Sequence, residues 1–469
     1  MKTILFLDDW MLDSRRNLER TFVGPTRSPR RVEFAEPDAP VIGGYTNVVR
    51  DGRTGLWRMW YTVQGKQAIA GKNFNTFLCY AESDDGFVWR RPDLGYWKQL
   101  GFDASLRNAV KFDRYPTVTY KVTLDAFEPD PTRRYKLVAA DIEGPITDNK
   151  IRGTLYVSPD GLEWAQLPGA QWYDGRMGSD TDNNVFFNPV TGRYQIVCRS
   201  SCLDRRVAMV ESPDLLNWTD PLVALGPDTL DEPLPQFYSM TPWWYRDHFL
   251  GLMQVQRIAS TEPSAAKWLG KIHDELIYSY NGVYWNRTNR RPVMPRGRLD
   301  EPGSQAIYTN AVVEQEDGQL RFYSVCYTVE HFAAEPPEPV KVDPTLVVHT
   351  LRPEGFVCLE PPAGYGQLAT RGLIPRNGDL RLNFAAPNGR VWVQVSNAEF
   401  KPFDGYTFDD CIPLSGDDVN APVRWKDGRT LDRFVNDWVR LEFKLFQSQL
   451  YAIHWDFRIQ YGDCILERI

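Results

Sequence analysis

A seven-residue pattern, S-x-[D/N]-[G/L]-x-x-W, occurs four times in this chain, opened by Ser83, Ser158, Ser212 and Ser279 and closed by Trp89, Trp164, Trp218 and Trp285. Each copy follows a strand-like run, at residues 78–81, 154–157, 207–210 and 276–278. Asp or Asn folds its side chain back onto the local backbone and Gly supplies a positive φ, so the pattern is a hairpin corner. The Trp then begins the next strand, where a large flat side chain at a fixed place in every repeat suits a wedge between neighbouring sheets. The intervals between copies are long for one hairpin and fit one four-stranded blade. A degenerate fifth corner stands at Pro353-Glu354-Gly355-Phe356-Val357, without the Trp.

A second unit precedes each corner: two apolar, β-branched or aromatic runs joined by a polar turn, at residues 47–61, 122–138, 184–197, 241–253 and 310–323. Five hairpins alternating with these corners predict an all-β fold, a five-bladed β-propeller over residues 1–359. No helical period appears in that stretch. The apolar run 3–7 has no blade of its own and is expected to complete the last one, removing a sheet edge. Past residue 360 the texture changes to strands at 380–384, 391–395, 423–425, 438–445 and 450–454, with Asn-Gly and Asp-Gly turns. Residues 360–469 therefore read as a C-terminal β-sandwich.

The formal net charge of −7, with no long run of basic residues, argues against a nucleic-acid partner, since phosphate binding calls for a basic stripe. Seven cysteines without C-x-x-C spacing and only five histidines give no metal signature and read as free thiols. The apolar start is too short for a signal peptide, and no stretch is long enough to span a membrane, so a cytoplasmic protein is expected. No Rossmann, P-loop, H-E-x-x-H or G-x-S-x-G motif appears, so no cofactor and no metal is expected. Formation of a homo-oligomer is compatible with the sequence.

The corners, hairpins and trailing strands resemble the five-bladed propeller glycosidases, the superfamily of invertases, levanases and arabinanases, and more closely an invertase-related group of predicted glycosidases. The likeness is carried by Leu5-Phe6-Leu7-Asp8-Asp9, by Tyr80-Ala81-Glu82-Ser83 running on to Pro92-Asp93-Leu94-Gly95, and by Ser179-Asp180-Thr181-Asp182-Asn183. Further matches are Thr350-Leu351-Arg352-Pro353-Glu354-Gly355-Phe356 and Asp409-Asp410-Cys411-Ile412-Pro413-Leu414. The invertase W-M-N-D-P-N-G motif, the R-D-P triplet and the E-C pair are absent. The resemblance implies a glycoside hydrolase acting on a fructoside or pentofuranoside, with a small-molecule or oligosaccharide substrate as partner. The alternative is a propeller that binds carbohydrate without catalysis, or an interaction scaffold.

Inner strands of a propeller start at one mouth of the central channel, where their hairpin partners end, so functional groups are expected at those positions. Glycoside hydrolysis needs one ionised and one protonated carboxyl. Asp180 matches the related group's pattern just ahead of a strand and is the leading carboxylate, against the alternative of a loop turn. Asp182 shares the location. Asp9 matches the N-terminal motif, and it equally can end the closing strand. Glu330, at the end of a hairpin strand, is the candidate acid, with Glu301 competing; an exposed loop carboxylate is the alternative for Glu330. Asn47, Asn183, Arg199, Tyr238, Tyr308 and His331 are the candidate substrate-binding groups, and Trp60, Tyr61, Trp243, Trp244 and Tyr308 are candidate stacking faces.

Overall fold

The computed structural model describes residues 2–36, 43–64, 76–113, 119–143, 150–174, 179, 181–200, 204–232, 235–258, 270–331 and 344–459. Asp180, Cys202 and Cys464 lie outside the described residues. The fold is nearly all β, in curled sheets; the one described α-helix is Tyr96–Leu100. Contacts divide the chain into two units: Pro25–Trp243 with Phe249–Thr350, and Met1–Gly24 with Trp244–His248 and Leu351–Ile469.

The larger unit is a succession of antiparallel sheets. Thr46–Arg50, Trp57–Gln64 and Thr76–Ser83 make the first. Thr119–Leu124, Tyr135–Glu143, Lys150–Ser158 and Glu163–Asp174 make the second, edged by the parallel Lys111–Phe112. Asn184–Asn188, Arg193–Arg199, Val207–Ser212 and Leu222–Leu225 form the third. Pro235–Tyr245, His248–Ile258, Gly270–Ser279 and Asn286–Pro292 follow. They join Ala306–Glu314, Leu320–Tyr327 and Thr345–Leu351 through the single parallel pair Ile272 and Ala306.

The repeated corners have the same chemistry each time. Ser158 Oγ accepts from the backbone N–H of Asp160 and Gly161 at 3.3 and 2.8 Å, while Asp160 Oδ1 accepts from Leu162 and Glu163 at 2.8 and 3.2 Å. Ser279 and Asn281 repeat the set onto Asn281, Gly282, Val283 and Tyr284. Trp164 and Trp285 each donate their indole N–H back to the corner carbonyl at 3.1 Å. At the first corner that carbonyl, Gly86 O, accepts instead from Tyr323 of the last sheet at 3.1 Å. The exposed Asp214 carboxyl is held well below its ordinary pKa by the N–H groups of Asn217 and Leu216, so it stays ionised as a turn element.

Burial explains why the Trp is fixed. Trp89 packs with Trp57 and Phe77 of the first sheet and with Tyr323 and Val325 of the last. Trp164 sits among Trp60, Tyr80 and Tyr135, between the first and second sheets. Trp172 and Ile196 share the cluster between second and third, where Trp218 packs, and Trp285 joins Val197, Met209 and Phe249 between third and fourth. Tyr238 and Ile272 meet Ala306 and Tyr308 where the fourth sheet adjoins the last. Each fully buried large side chain contributes about 1.5–3 kcal/mol from area alone. Trp60 and Tyr61 are both wholly buried in these cores, which corrects their assignment as sugar-stacking faces.

The smaller unit is built on one nine-stranded antiparallel sheet. Its spine is the long strand Arg381–Ser396, whose first half pairs with Gln449–Trp455 and Leu414–Pro422 and whose second half pairs with Arg440–Phe446. The expectation that the N-terminal strand closes the last blade is overturned: Lys2–Leu5 pairs with Gln449–Trp455, Lys2 opposite Trp455. The outer edge of Thr345–Leu351 is taken by Thr26–Arg27. An apolar run such as Thr3 to Leu7 specifies a buried strand, and any open edge beside a core satisfies it, so its partner is not written in its own pattern.

Candidate functional site

The first strands of successive sheets in the larger unit are tied to one another by side-chain hydrogen bonds. Asn47 Nδ2 donates to Tyr120 O at 3.3 Å, from the first sheet to the second. Lys121 Nζ meets Asp182 Oδ2 at 3.0 Å, from the second to the residues entering the third, and Asn184 Nδ2 donates to Met240 O at 2.7 Å. Thr241 Oγ1 donates to Thr309 O at 3.2 Å, and Asn310 Nδ2 returns to Gly44 O at 2.7 Å, just ahead of the first strand. The links therefore run through all five strands and back.

Lys121 is the centre of this arrangement. Its Nζ also donates to Asn310 O at 2.5 Å, so one ammonium bridges Asp182 and the Ala306–Glu314 strand. Both charged side chains are almost entirely buried. Burial drives the Lys121 pKa down and the Asp182 pKa up, against the mutual attraction that opposes both changes. Desolvation thus outweighs pairing on each partner. Among the described residues, Asp182 Oδ1, Asn47 Oδ1 and Thr181 Oγ1 are buried acceptors without a hydrogen-bond partner. The expected Asp182 carboxylate is therefore half spent on Lys121 and half available to a donor.

Asp274, on Gly270–Ser279, is a second wholly buried acid. Its Oδ2 accepts from Thr309 Oγ1 at 2.6 Å, and burial pushes its carboxyl up to about 7. Gln254, its cross-strand neighbour, donates to Asn310 Oδ1 at 3.1 Å and accepts from Ser239 Oγ at 2.7 Å.

Four of the expected binding residues come together at the strand ends. Tyr308 and His331 share a hydrogen bond of 2.6 Å between the hydroxyl and Nδ1, and the Tyr238 ring lies 4.9 Å from the imidazole. The Arg199 guanidinium stands 4.8 Å from the centre of the Tyr238 ring and donates to Tyr238 O, and Arg205 lies 5.3 Å from the same ring. Tyr45 approaches Tyr238 hydroxyl to hydroxyl at 3.4 Å. Burial, then the charges of Arg205 and Arg199, push the His331 pKa down to about 3, so the imidazole is neutral at physiological pH.

Asn183 donates to Ser179 O at 3.1 Å, and Ser179 Oγ accepts from Arg199 N at 2.9 Å. The residues flanking Asp180, Ser179 and Thr181, are thus buried at the foot of the arginine strand. Glu330 is half-buried next to His331, which bridges to Gly270 O through its N–H at 3.0 Å. Glu301 is exposed, its Oε2 accepting from Arg298 N at 3.1 Å within a turn. Asp9 belongs to the smaller unit, ion-paired with Arg15 at 3.1 Å and with Arg20; burial raises its pKa, but the two arginines win and hold it below the ordinary value.

Lys121, Asp274 and Arg205 were not expected from the sequence. Charged residues inside strand runs, Thr119-Tyr120-Lys121-Val122 and Ile272-His273-Asp274-Glu275-Leu276, are the signal that marks the first two. No group of three or more metal-ligating side chains occurs among the described residues, and no described helix is long and apolar enough to cross a membrane.

No family model matches the chain, and no curated protein matches it. Its structural neighbours are glycoside hydrolases of propeller-type families. A thermostable family-43 glycoside hydrolase is similar at 13% identity, over 68% of this chain and 95% of that one, with a TM-score of 0.42. The Bombyx mori GH32 β-fructofuranosidase is similar at 11% identity over 94% of both chains, with a TM-score of 0.43. A structure from work on the GH130 family of mannoside phosphorylases is similar at 12% identity, over 76% of this chain and 97% of that one, with a TM-score of 0.46.

Proposed function

We propose that the larger unit is a five-bladed β-propeller, that the smaller is a β-sandwich, and that the propeller binds a fructoside or pentofuranoside end of an oligosaccharide and hydrolyses its glycosidic bond. The observation that carries this reading is the convergence of Arg199, Tyr238, Tyr308 and His331 where Arg193–Arg199 ends and Pro235–Tyr245 and Ala306–Glu314 begin, in the unit that also buries the Lys121–Asp182 pair. Tyrosine rings offer an apolar face with a polar edge, and a guanidinium and a neutral imidazole donate to hydroxyl groups, the combination a sugar ring requires.

In this mechanism Asp180 is the ionised carboxylate and Glu330 the acid. The acid protonates the leaving glycosidic oxygen while the carboxylate either attacks the anomeric carbon or activates water on the opposite face. Asp182, oriented by Lys121, hydrogen-bonds a sugar hydroxyl through Oδ1. Asn47 Oδ1 accepts from a second hydroxyl, and Asn183 holds the backbone carbonyl of Ser179. Asp9, clamped by two arginines, and Glu301, committed to a turn, have no part in it.

The test is a screen of aryl glycosides and oligosaccharides with wild type, Asp180→Asn and Glu330→Gln. Each variant is expected to lose on the order of 10²–10⁴-fold in kcat, with an unchanged unfolding midpoint. Equal activity of Asp180→Asn and wild type removes Asp180 from the mechanism. A second reading, sugar binding without hydrolysis, is favoured by the neutralisation of Asp182 by Lys121. It predicts saturable sugar binding and no turnover in the same screen.

A further inference from the structure

The smaller unit carries a solvent-facing grid whose chemistry the reading above does not use. Three strands lie side by side, Tyr365–Thr370, Arg440–Phe446 and the second half of Arg381–Ser396, and their register lines up side chains in rows. One row is Tyr365, Phe446 and Arg390; the next is Gln367, Lys444 and Trp392. A third row places Glu442 opposite Gln394. Alternation along each strand turns Leu368, Phe443 and Val393 into the core, so the rows face outward as a set.

The rings form one surface. Tyr365 is 57% exposed although aromatic, and its ring centre lies 4.9 Å from that of Phe446 and 6.2 Å from that of Trp392. Lys444 lies between them, Nζ 4.7 Å from the Trp392 ring and 5.3 Å from that of Phe408. Gln394 is fixed by accepting from Phe408 N at 3.3 Å. Glu442 Oε1 is buried at the edge of the grid and has no hydrogen-bond partner among the described residues.

We infer that this face is a second carbohydrate-binding site, taking a neutral polysaccharide chain laid across the strands. A sugar ring presents an apolar C–H face and a hydroxyl edge, and the rows alternate aromatic faces with amide, carboxylate and ammonium groups at a spacing fixed by the sheet. The unpartnered Glu442 oxygen calls for a donor, which a sugar hydroxyl supplies. A protein interface centres on rings with its charges pushed to the rim, whereas here Lys444 lies amid the rings. A nucleic acid requires an excess of cations that a face holding Arg390, Lys444 and Glu442 does not present. The site does not depend on hydrolysis in the larger unit, and the two fail separately.

Affinity electrophoresis tests it, with the full-length protein in native gels containing levan, linear arabinan or hydroxyethylcellulose. At least one of these is expected to retard wild type. The double substitution Tyr365→Ala with Trp392→Ala is expected to weaken that retardation about fivefold or more, from loss of two stacking faces, leaving aryl-glycoside turnover and the unfolding midpoint unchanged. Retardation by none of the three, or equal retardation of wild type and variant, overturns the inference. A variant that changes only the oligomeric state assigns the face to a protein contact instead, and also overturns it.

Discussion

Replacing Lys121 by Met is the most direct probe of the polar core of the larger unit. The side chains of Lys121 and Asp182 are 5% and 2% exposed and 3.0 Å apart. At an effective dielectric of about 20, that separation corresponds to roughly 5–6 kcal/mol of attraction. Withdrawing each ion from water costs several kcal/mol, so the pair as a unit stands near break-even against apolar groups of the same size. The lowered Lys121 pKa and raised Asp182 pKa, with burial leading both, say that desolvation is the larger effect. Lys121→Met leaves a carboxylate buried without a counter-charge and Asn310 O without its 2.5 Å donor, a loss of about 3–5 kcal/mol. Adding Asp182→Leu removes the stranded charge, and the double variant is expected within about 2 kcal/mol of wild type. Urea unfolding followed by tryptophan fluorescence gives the four stabilities of the cycle. If the two single losses simply add, with a coupling below about 1 kcal/mol, the pair is solvated and the reasoning is wrong.

Asp274→Asn tests the second buried acid. Its carboxyl is raised from 3.8 to about 7 in the folded protein, so the stability it confers is complete below pH 3.8 and lost as pH rises through 7. Relative to wild type, Asp274→Asn should therefore gain about 4 kcal/mol between pH 4 and 8; parallel curves of stability against pH refute the assignment. Gly161→Ala is expected to cost about 3 kcal/mol or more, because φ is +74° and the new Cβ would lie 2.5 Å from Trp60 Cζ2. Gly55→Ala, at φ +73° with open space around it, should cost only about 1 kcal/mol, and equal midpoint shifts in urea would remove the packing argument. The imidazole resonance that disappears in His331→Gln should not titrate between pH 5 and 8, since its pKa is near 3; an NMR midpoint near 6.5 contradicts the buried, cation-flanked setting.

The sheets were legible because their determinants are local. Ser158, Asp160 and Gly161 satisfy one another's backbone within a few residues, so the corner is specified wherever that short pattern occurs. The hairpin of Asn184 to Val197 follows from two apolar runs joined by a polar turn, and its register is observed with Asn184 opposite Val197. The partner of Lys2–Leu5 was not legible, since edge choice depends on which distant strand is left open. Nor was the burial of Trp60 readable from its type: Trp60 serves the corner of the next sheet, donating to Gly161 O at 2.7 Å, across one hundred residues of chain.

The site was half legible for the same reason. Arg199, Tyr238, Tyr308 and His331 were nominated by a rule about strand ends, which needs only element order, and the fold brings these candidates together. Asp182 was nominated too, but its pairing was not legible, because that depends on Lys121 from another sheet. A lysine inside Thr119–Leu124 reads locally as a defect in an apolar run. Its value appears only when Asp182 and Asn310 arrive from strands distant in sequence to surround its ammonium. Local rules thus recover the scaffold and the positions open to chemistry, while charge state is decided by the neighbours that closure supplies. Any functional assignment to Asp182 must therefore be tested together with Lys121, since neither charge keeps its meaning without the other.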